Sequence, residues 1–466
     1  MRWLDEAVVT GTATTPGHPV RIAVLDAVRA DRAGPAAARL LRLTRSADPH
    51  VRHRALDLLL SLAHGAAWPR AADAALARLT DPDEGVRRLA AGLLVQAGRR
   101  DLALRELTGS TDPVVRTATA DALGGAVVAG LGDDPLGAVR FLAHLEALRT
   151  APPAQWPALD AALLADAERA ALQLPGLGAR WGWALYTRER EQHTYDLAKV
   201  LLAAPATRDL GAALARTACH AWRSAPVELV PALLRHGAGT LGPAVAKALR
   251  TASISAEALR VHGAAFTALP GFTPYPISGR PPGGLPGPAY DATSAAAVLD
   301  ARPVGVDRLA RAPELFGPLL DEGPLTFRQA AQLYNLTFKR PSRMQAVCAP
   351  LWLRHAGPAA LPRLLALITP YLTDYGIGAY YLEGLARMGP RALPALPAVT
   401  ALIDRSTRIP VNDSTHDGEM ALDEALLRAA LQARDAIGNE RDGPHGQQGA
   451  ASNRQRATGD RSGEQG

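Results

Sequence analysis

The chain has 466 residues, of which 48% are hydrophobic, 21% are charged and 5% are aromatic. This composition supports a large buried core of Ala, Leu and Val, and it excludes disorder along the whole chain. The net charge is +6, but only three of the 51 basic residues are lysines. A GC-rich coding sequence produces such an arginine excess, so the charge alone does not indicate a nucleic-acid partner.

Two cysteines, Cys219 and Cys348, lie far apart in the sequence. They form neither a disulfide framework nor a metal-ligand cluster, and two isolated thiols fit a reducing compartment. Residues 1–6 include acids where a signal peptide needs an apolar run, and no charge-free apolar window is long enough to cross a membrane. We therefore expect a cytoplasmic protein with no membrane partner.

A repeated motif runs through the first quarter of the chain. Four segments place a proline, a valine and an arginine in the same order, or a close variant of it. Leu, Val or Ala stands five residues after each valine and again eight residues after it, which places one apolar stripe on one face of a helix. The pattern predicts repeated helical units, and the motif valines are Val20, Val51, Val86 and Val115.

Each motif predicts the start of a helix, because Asp caps free N–H groups and Pro fits the first turn. The valine is expected to be buried and the arginine to lie on the flank. A second short apolar helix precedes each of the last three motifs, in residues 35–43, 69–80 and 101–107. One such helix pair cannot bury its own apolar face, so the sequence predicts that neighbouring pairs stack.

The Asp-Pro-x-Val-Arg-x-x-Ala pattern over residues 17–125 resembles HEAT repeats, in particular the short PBS-lyase-type HEAT-like repeats. A weaker resemblance covers residues 376–404, where residues 384–390 read GLARMGP. The resemblance implies an all-α fold in which stacked helix pairs form an α-solenoid, a HEAT-like superhelix.

Composition divides the chain into four predicted parts. Residues 1–269 form an N-terminal HEAT-like helical block, and residues 291–437 form a C-terminal one. Between them, residues 270–290 are rich in Pro and Gly, which predicts a linker or a surface loop. Residues 438–466, which follow the C-terminal block, contain no large apolar side chain, and this composition predicts a disordered tail.

The sequence carries no motif that would support a reaction. Residues 237–242 match the G-x-G-x-x-G pattern, but the preceding segment reads as a helix, whereas a dinucleotide site needs a strand there. Cys219 and His220 are neighbours on a predicted helix and point about 100° apart, so they do not pair as nucleophile and base. Residues 412–419 concentrate polar groups without the spacing of a calcium loop. We therefore predict no catalytic residue, no cofactor, no metal and no enzymatic activity.

Aromatic residues cluster in two places. Residues 180–190 mix tryptophans with arginines, which fits either stacking on single-stranded nucleic acid or packing between helices. The second cluster, in residues 327–343 and 371–381, mixes Tyr and Arg, which are enriched at protein interfaces. Packing between helices is the alternative for this cluster too. The predicted binding residues are Arg328, Tyr334, Lys339, Arg340, Arg343, Tyr375 and Tyr381.

These observations favour a non-catalytic scaffold or adaptor whose partner is another protein, because stacked helix pairs create a long binding surface. One alternative is a nucleic-acid-binding HEAT-like protein, including one that resembles DNA glycosylases. The other is an enzyme that resembles bilin lyases. The repeat resemblance implies neither activity, since a repeat name describes a structure. The Trp-and-Asp arrangement of the glycosylases matches no motif in this chain.

Overall fold

The computed structural model describes residues 2–63, 67–174, 176–237, 242–275, 290–301, 311–339, 341–374, 376–409 and 415–439. Within these ranges the chain is helical and contains no strand, and an isolated bridge joins Trp222 to Thr407. The predicted all-α class is therefore confirmed. Most of the predicted linker, and all but the first residues of the predicted tail, lie outside the described residues.

Helices in the first half of the chain are short and follow one another closely. Helices α1 to α13 are, in order, Arg2–Thr10, Pro19–Ala30, Pro35–Leu43, Pro49–Ala63, Pro69–Leu76, Glu84–Gln96, Arg100–Gly109, Pro113–Leu123, Gly125–Ala129, Gly137–Leu148, Trp156–Gln173, Leu177–Tyr186 and Glu191–Ala203. Helices α14 to α25 are Arg208–Ala221, Ala225–Gly237, Pro243–Ala252, Ala256–Thr267, Ala292–Asp300, Ala312–Glu322, Phe327–Phe338, Arg343–Ala356, Leu361–Ile368, Gly378–Met388, Leu396–Ile403 and His416–Gly438.

The chain divides into two compact units. Unit 1 comprises Met1–Ala218 and Arg235–Ala248, and unit 2 comprises Cys219–Leu234 and Leu249–Gly466. Unit 2 includes residues 219–234 and 249–269, which composition places in the N-terminal block.

The motif helices of unit 1 are α2, α4, α6 and α8, and α4 and α8 begin at the motif proline after a capping Asp, as the sequence predicts. Asp112 accepts hydrogen bonds from the Val114 and Val115 amides at the start of α8, at 2.8 and 3.4 Å. The prediction is wrong for α6, which begins at Glu84, after the motif proline, because Asp83 rather than Asp81 caps it and accepts from the Val86 amide at 2.9 Å. The apolar residues eight positions after each motif valine are buried, namely Val28, Leu59, Leu94 and Leu123.

The motif arginines connect consecutive repeats, which the sequence does not indicate. Arg52 donates to Asp81 of the next motif at 2.8 Å, and Arg87 Nε lies 2.7 Å from Asp112 of the motif after that. Arg116 continues the series by pairing with Asp134. Each acceptor is the Asp that precedes the motif proline, so one carboxylate serves both its own turn and the arginine of the preceding repeat. We call this series of pairs the arginine ladder.

Two ladder arginines, Arg52 and Arg87, also hold the turn before their own helix, whereas Arg116 donates to the Leu107 carbonyl oxygen of α7 at 3.1 Å. Arg52 donates to the carbonyl oxygens of Ser46 and Ala47, both at 2.9 Å. Arg87 donates to the carbonyl oxygens of Asp81 and Pro82, at 2.8 and 3.1 Å. The arginines therefore satisfy carbonyl groups that would otherwise depend on solvent, and Arg52 itself is buried.

A fifth repeat follows the four that the sequence analysis recognises. Asp134 and Pro135 precede α10, and Val139 and Arg140 stand where the valine and arginine of the third motif stand. Val139 is buried, and Arg140 donates to the Asp134 carbonyl oxygen at 2.7 Å, as Arg87 does in its own repeat. The sequence analysis missed this unit because His144 and Ala147 occupy the two positions where the other repeats have their apolar columns.

Consecutive motif helices of unit 1 pack on one another in chain order. Helix α4 contacts α6, α6 contacts α8, and α8 contacts α10. The shorter helices α5 and α7 pack against the motif helices α6 and α8 that follow them. Each apolar stripe is thus covered by a neighbouring repeat, which is why a single helix pair would not be stable alone.

A buried charge network explains why residues 219–234 belong to unit 2. Arg223 donates to both carboxylate oxygens of Asp423 on α25, at 3.0 and 2.8 Å. Arg408 donates to Asp423 at 3.0 Å and pairs with Glu424 at 2.8 Å. Burial raises the pKa of the Asp423 carboxyl, but the hydrogen bonds and charges of the two arginines outweigh it and hold the pKa below its usual value.

Apolar packing in the described part of unit 2 includes two clusters that meet at helix α21. One cluster joins α18, α19, α20 and α21 around Phe316 and Leu333, and the other joins α21 to α25 around Leu385. Trp352 packs against both clusters. These contacts bury the inner side of α20 and leave its outer side exposed.

Candidate interface

Helix α20 presents an aromatic stripe on its outer side. Thr326 begins the helix with a capping box, in which its hydroxyl accepts from the Gln329 amide and the Gln329 side chain accepts from the Thr326 amide. Phe327, Tyr334 and Phe338 are separated by seven and four residues, so they share one side of the helix. The Phe327 side chain is 91% exposed, the largest exposed fraction among the large hydrophobic residues of the described chain.

Two of these rings join a tryptophan and an arginine from the following helices. Trp352 of α21 packs edge-on against Tyr334 and Phe338, with ring centroids 5.4 and 5.7 Å apart. The Arg363 guanidinium of α22 lies 4.2 Å from the Phe338 ring centroid and donates to the Tyr334 hydroxyl at 2.9 Å. We call Tyr334, Phe338, Trp352 and Arg363 the aromatic platform.

Three basic side chains on or beside α20 and in the platform have no carboxylate partner. Arg328 follows Phe327 at the start of α20, Lys339 follows Phe338 directly after its end, and both are exposed, whereas Arg363 is part of the platform. Among the described residues, no Asp or Glu lies within ion-pairing distance of any of the three. Three of the predicted binding residues, Arg328, Tyr334 and Lys339, are therefore exposed on α20 or directly after it.

Arg343 lies away from the platform. Its guanidinium lies 4.2 Å from the ring centroid of Tyr380, on α23. Nine residues separate it from Trp352 on α21, which places the two side chains on opposite sides of that helix. The predicted binding residues therefore do not form one continuous patch.

Tyr381 is a core residue, so it cannot contact a partner in this fold. Its side chain is 0% exposed, and its hydroxyl accepts from the Ser342 amide at 3.2 Å and hydrogen-bonds with the Gln345 side chain. Burial raises the pKa of the Tyr381 phenol. The role that the sequence assigns to Tyr381 is corrected to packing between α21 and α23. Arg340 and Tyr375, the remaining predicted residues, lie outside the described residues.

Four residues that the structure places at this surface are absent from the predicted set. They are Phe327, Phe338, Trp352 and Arg363, and all four are aromatic or basic. The helical spacing of Phe327, Tyr334 and Phe338 was a readable signal for the two phenylalanines. Trp352 and Arg363 reach the same place from other helices, and only tertiary packing reveals that.

The tryptophan-rich segment at residues 180–190 mainly serves packing in unit 1. Trp181 is buried and packs edge-on against Phe141, with ring centroids 5.1 Å apart. Arg190 lies 4.7 Å from the Trp156 ring centroid and also donates to Asp160 at 2.9 Å. The basic side chain of Arg190 is thus already paired with a carboxylate.

A groove of about 480 Å³ lies beside this segment, within unit 1. Its polar lining consists mainly of two ion pairs, Arg180 with Asp121 and Arg149 with Glu146, the second at 3.4 Å. Trp183 contributes an aromatic wall. Because the two arginines face two carboxylates, the groove offers no excess of either charge to a ligand.

The two cysteine thiols and His220, which a reaction or a metal site could use, are buried or paired in the structure. Burial raises the pKa of the Cys348 thiol to about 12, so this sulfur stays protonated at neutral pH. His220 hydrogen-bonds with Asp417 at 2.8 Å, next to the buried Cys219. No group of three His, Cys, Asp or Glu side chains in the described ranges could hold a metal ion.

No protein-family model matches the chain, and no curated protein matches it. Among solved structures it is similar to an engineered protein, with 17% sequence identity over 86% of this chain and 98% of that one, and with a TM-score of 0.22. None of the described helices is both long enough and apolar enough to span a membrane.

Proposed function

We propose that this protein is a non-catalytic scaffold that binds another protein through the outer side of α20 and the aromatic platform. The observation that carries the proposal is the exposure of Phe327. Leaving a phenylalanine 91% exposed costs free energy in water, and large exposed apolar side chains beside arginine and tyrosine are typical of binding hot spots. A partner that covers Phe327 would remove this apolar surface from water.

We also propose that the helices of unit 1 form a HEAT-like α-solenoid. The arginine ladder supports this proposal, because the same link joins the second motif to the third, the third to the fourth and the fourth to the fifth. The order in which motif helices pack supports it too, since each contacts the next motif helix. In such an architecture the repeats provide a rigid support, and binding residues occupy its surface.

A protein partner fits this surface better than a single-stranded nucleic acid does. Base stacking requires open ring faces, whereas Arg363 already lies over the rings of Phe338 and Tyr334. The ring that is open, Phe327, is a single exposed side chain rather than a series of stacking positions.

The proposal is tested with Phe327→Asp in the full chain. The variant and the wild type would be expressed at endogenous levels in the native host, and co-purifying proteins compared by mass spectrometry. We expect Phe327→Asp to lose a partner that the wild type retains, with an unchanged thermal melt. The matched control is Leu172→Asp, which alters another strongly exposed hydrophobic residue, in unit 1. Identical partners for all three proteins would refute the proposal.

A further inference from the structure

We infer that the partner of this surface is an acidic protein segment that also carries a large apolar side chain. The inference rests on the proposed function and gives the partner its chemistry. Its first observation is that the stretch around α20 has basic residues but no acidic ones, unlike the chain as a whole. Across the whole chain, 45 acidic residues nearly balance 51 basic ones, but no Asp or Glu occurs between Glu322 and Asp374. The same stretch contains Arg328, Lys339, Arg340, Arg343, Arg354 and Arg363.

Tertiary contacts with described residues do not neutralise this charge at the platform. Arg354 pairs with Asp321 at 2.6 Å, but Arg354 is not part of the platform. Arg328, Lys339 and Arg363 have no carboxylate partner among the described residues. A positive surface that is not balanced from within attracts negative charge from outside and speeds its association.

Arg363 is held in position for a carboxylate. Its guanidinium lies over the Phe338 ring, and one nitrogen donates to the Tyr334 hydroxyl. A guanidinium has five N–H donors in a fixed plane, so donors remain for a carboxylate to accept from. Because the rings already restrict the side chain, less conformational entropy is lost when a carboxylate binds.

Phe327 supplies the apolar half of the recognition. It lies seven residues from Tyr334, about two helical turns along α20 from the platform. The partner segment would place its acids opposite Arg328, Lys339 and Arg363. It would place its apolar side chain against Phe327, about two helical turns along α20 from the platform. This combination of charge and apolar contact distinguishes a protein segment from a purely anionic polymer.

The experiment selects peptides from a random dodecapeptide display library on the immobilised full chain. We expect the selected peptides to be enriched in Asp and Glu and to contain a large apolar residue. Their affinity should fall about tenfold or more for the triple variant Arg328→Gln, Lys339→Gln, Arg363→Gln, and it should fall as the ionic strength rises. Arg105→Gln, at an exposed arginine of unit 1, is the matched control and should leave the affinity unchanged.

Three outcomes would overturn the inference in different ways. Peptides that require Phe327 but show no enrichment in acids would refute the acidic partner and leave the proposed function intact. Peptides insensitive to both the triple variant and Phe327→Ala would count against both proposals. Tighter binding of a fluorescent oligothymidylate than of the best peptide, lost in the triple variant, would assign the surface to nucleic acid. If the triple variant melts early, Arg328→Gln alone repeats the test at an exposed position.

Discussion

Arginines in two regions of the molecule have different kinds of partner. In unit 1, Arg52 and Arg87 bind a carboxylate of the next repeat and carbonyl groups of their own turns. On the exposed surface of α20 and α22, in unit 2, Arg363 lies on aromatic rings, and Arg328 is exposed to solvent. One residue type thus stabilises the fold in the first region and is available for binding in the second. The difference is set by whether a carboxylate is built in beside the arginine.

The largest expected effect comes from removing a carboxylate of the arginine ladder. Asp81→Ala leaves the buried Arg52 without its charge partner, and such a change typically lowers the free energy of unfolding by about 3 to 5 kcal/mol. Chemical denaturation monitored by circular dichroism measures it. Asp26→Ala, which removes an exposed ion pair with Arg29, is the control and should cost about 1 kcal/mol or less. Equal losses for the two variants would show that the ladder does not contribute more than surface pairs do.

Lowering the pH should weaken the same pair, Arg52 with Asp81, and should reduce stability less than Asp81→Ala does. Burial raises the pKa of the Asp81 carboxyl, but the hydrogen bonds from Arg52 and the Asp83 amide outweigh it, so the pKa lies below its ordinary value. A depressed pKa stabilises the fold fully above the unfolded-state pKa of about 3.9, and this stabilisation is lost as the pH falls through the folded-state value. Melting temperatures of the wild type and Asp81→Asn should therefore converge below about pH 4. A constant gap at every pH would contradict this.

An arginine-to-lysine exchange sharpens the comparison between the two regions. Arg87→Lys keeps the charge but cannot reach Asp112 and two carbonyl groups at once, so it should cost about 1 to 2 kcal/mol. Arg328→Lys, at an exposed residue, should change stability by less than about 0.5 kcal/mol. Denaturation curves of the two variants decide the matter, and similar losses would mean that Arg328 is also structural.

The smallest expected effect concerns Phe327. Because its side chain is 91% exposed, Phe327→Ala should change the free energy of unfolding by less than about 0.5 kcal/mol. Leu59→Ala, at a residue that is 0% exposed, should cost about 2 to 5 kcal/mol. A large loss for Phe327→Ala in the same denaturation series would show that this ring packs within the fold.

The sequence predicted local features well and long-range contacts poorly. The starts of α4 and α8 and the buried column from Val28 to Leu123 follow from helix capping and helical spacing, which are encoded within a few residues. The pairing of Arg52 with Asp81 joins residues in different repeats, so the pattern showed only that Arg lies on a flank. The contact between Arg223 and Asp423 spans most of unit 2, and no local pattern indicates it.

The candidate site shows the same limit. Tyr334 was predicted from its residue type, and so was Tyr381, but Tyr381 is buried while Tyr334 is partly exposed. Composition cannot separate the two, because exposure depends on which neighbouring helices cover each side chain. The absence of acids around Arg328 and Arg363 was readable in the sequence, and it separates these arginines from those of the ladder.

The arginine ladder also bears on how such a chain can change its length. The third and fourth repeats each carry one arginine for the repeat after it and one Asp for the repeat before it. A tandem duplication of one whole repeat therefore adds a matched donor and acceptor, and leaves no charge unpaired at the new junction. The two ends are closed differently: His18 replaces the Asp before the first motif, and Arg140 binds Asp166 of α11. Gain or loss of interior repeats should for this reason be tolerated, whereas changes at the two ends should not.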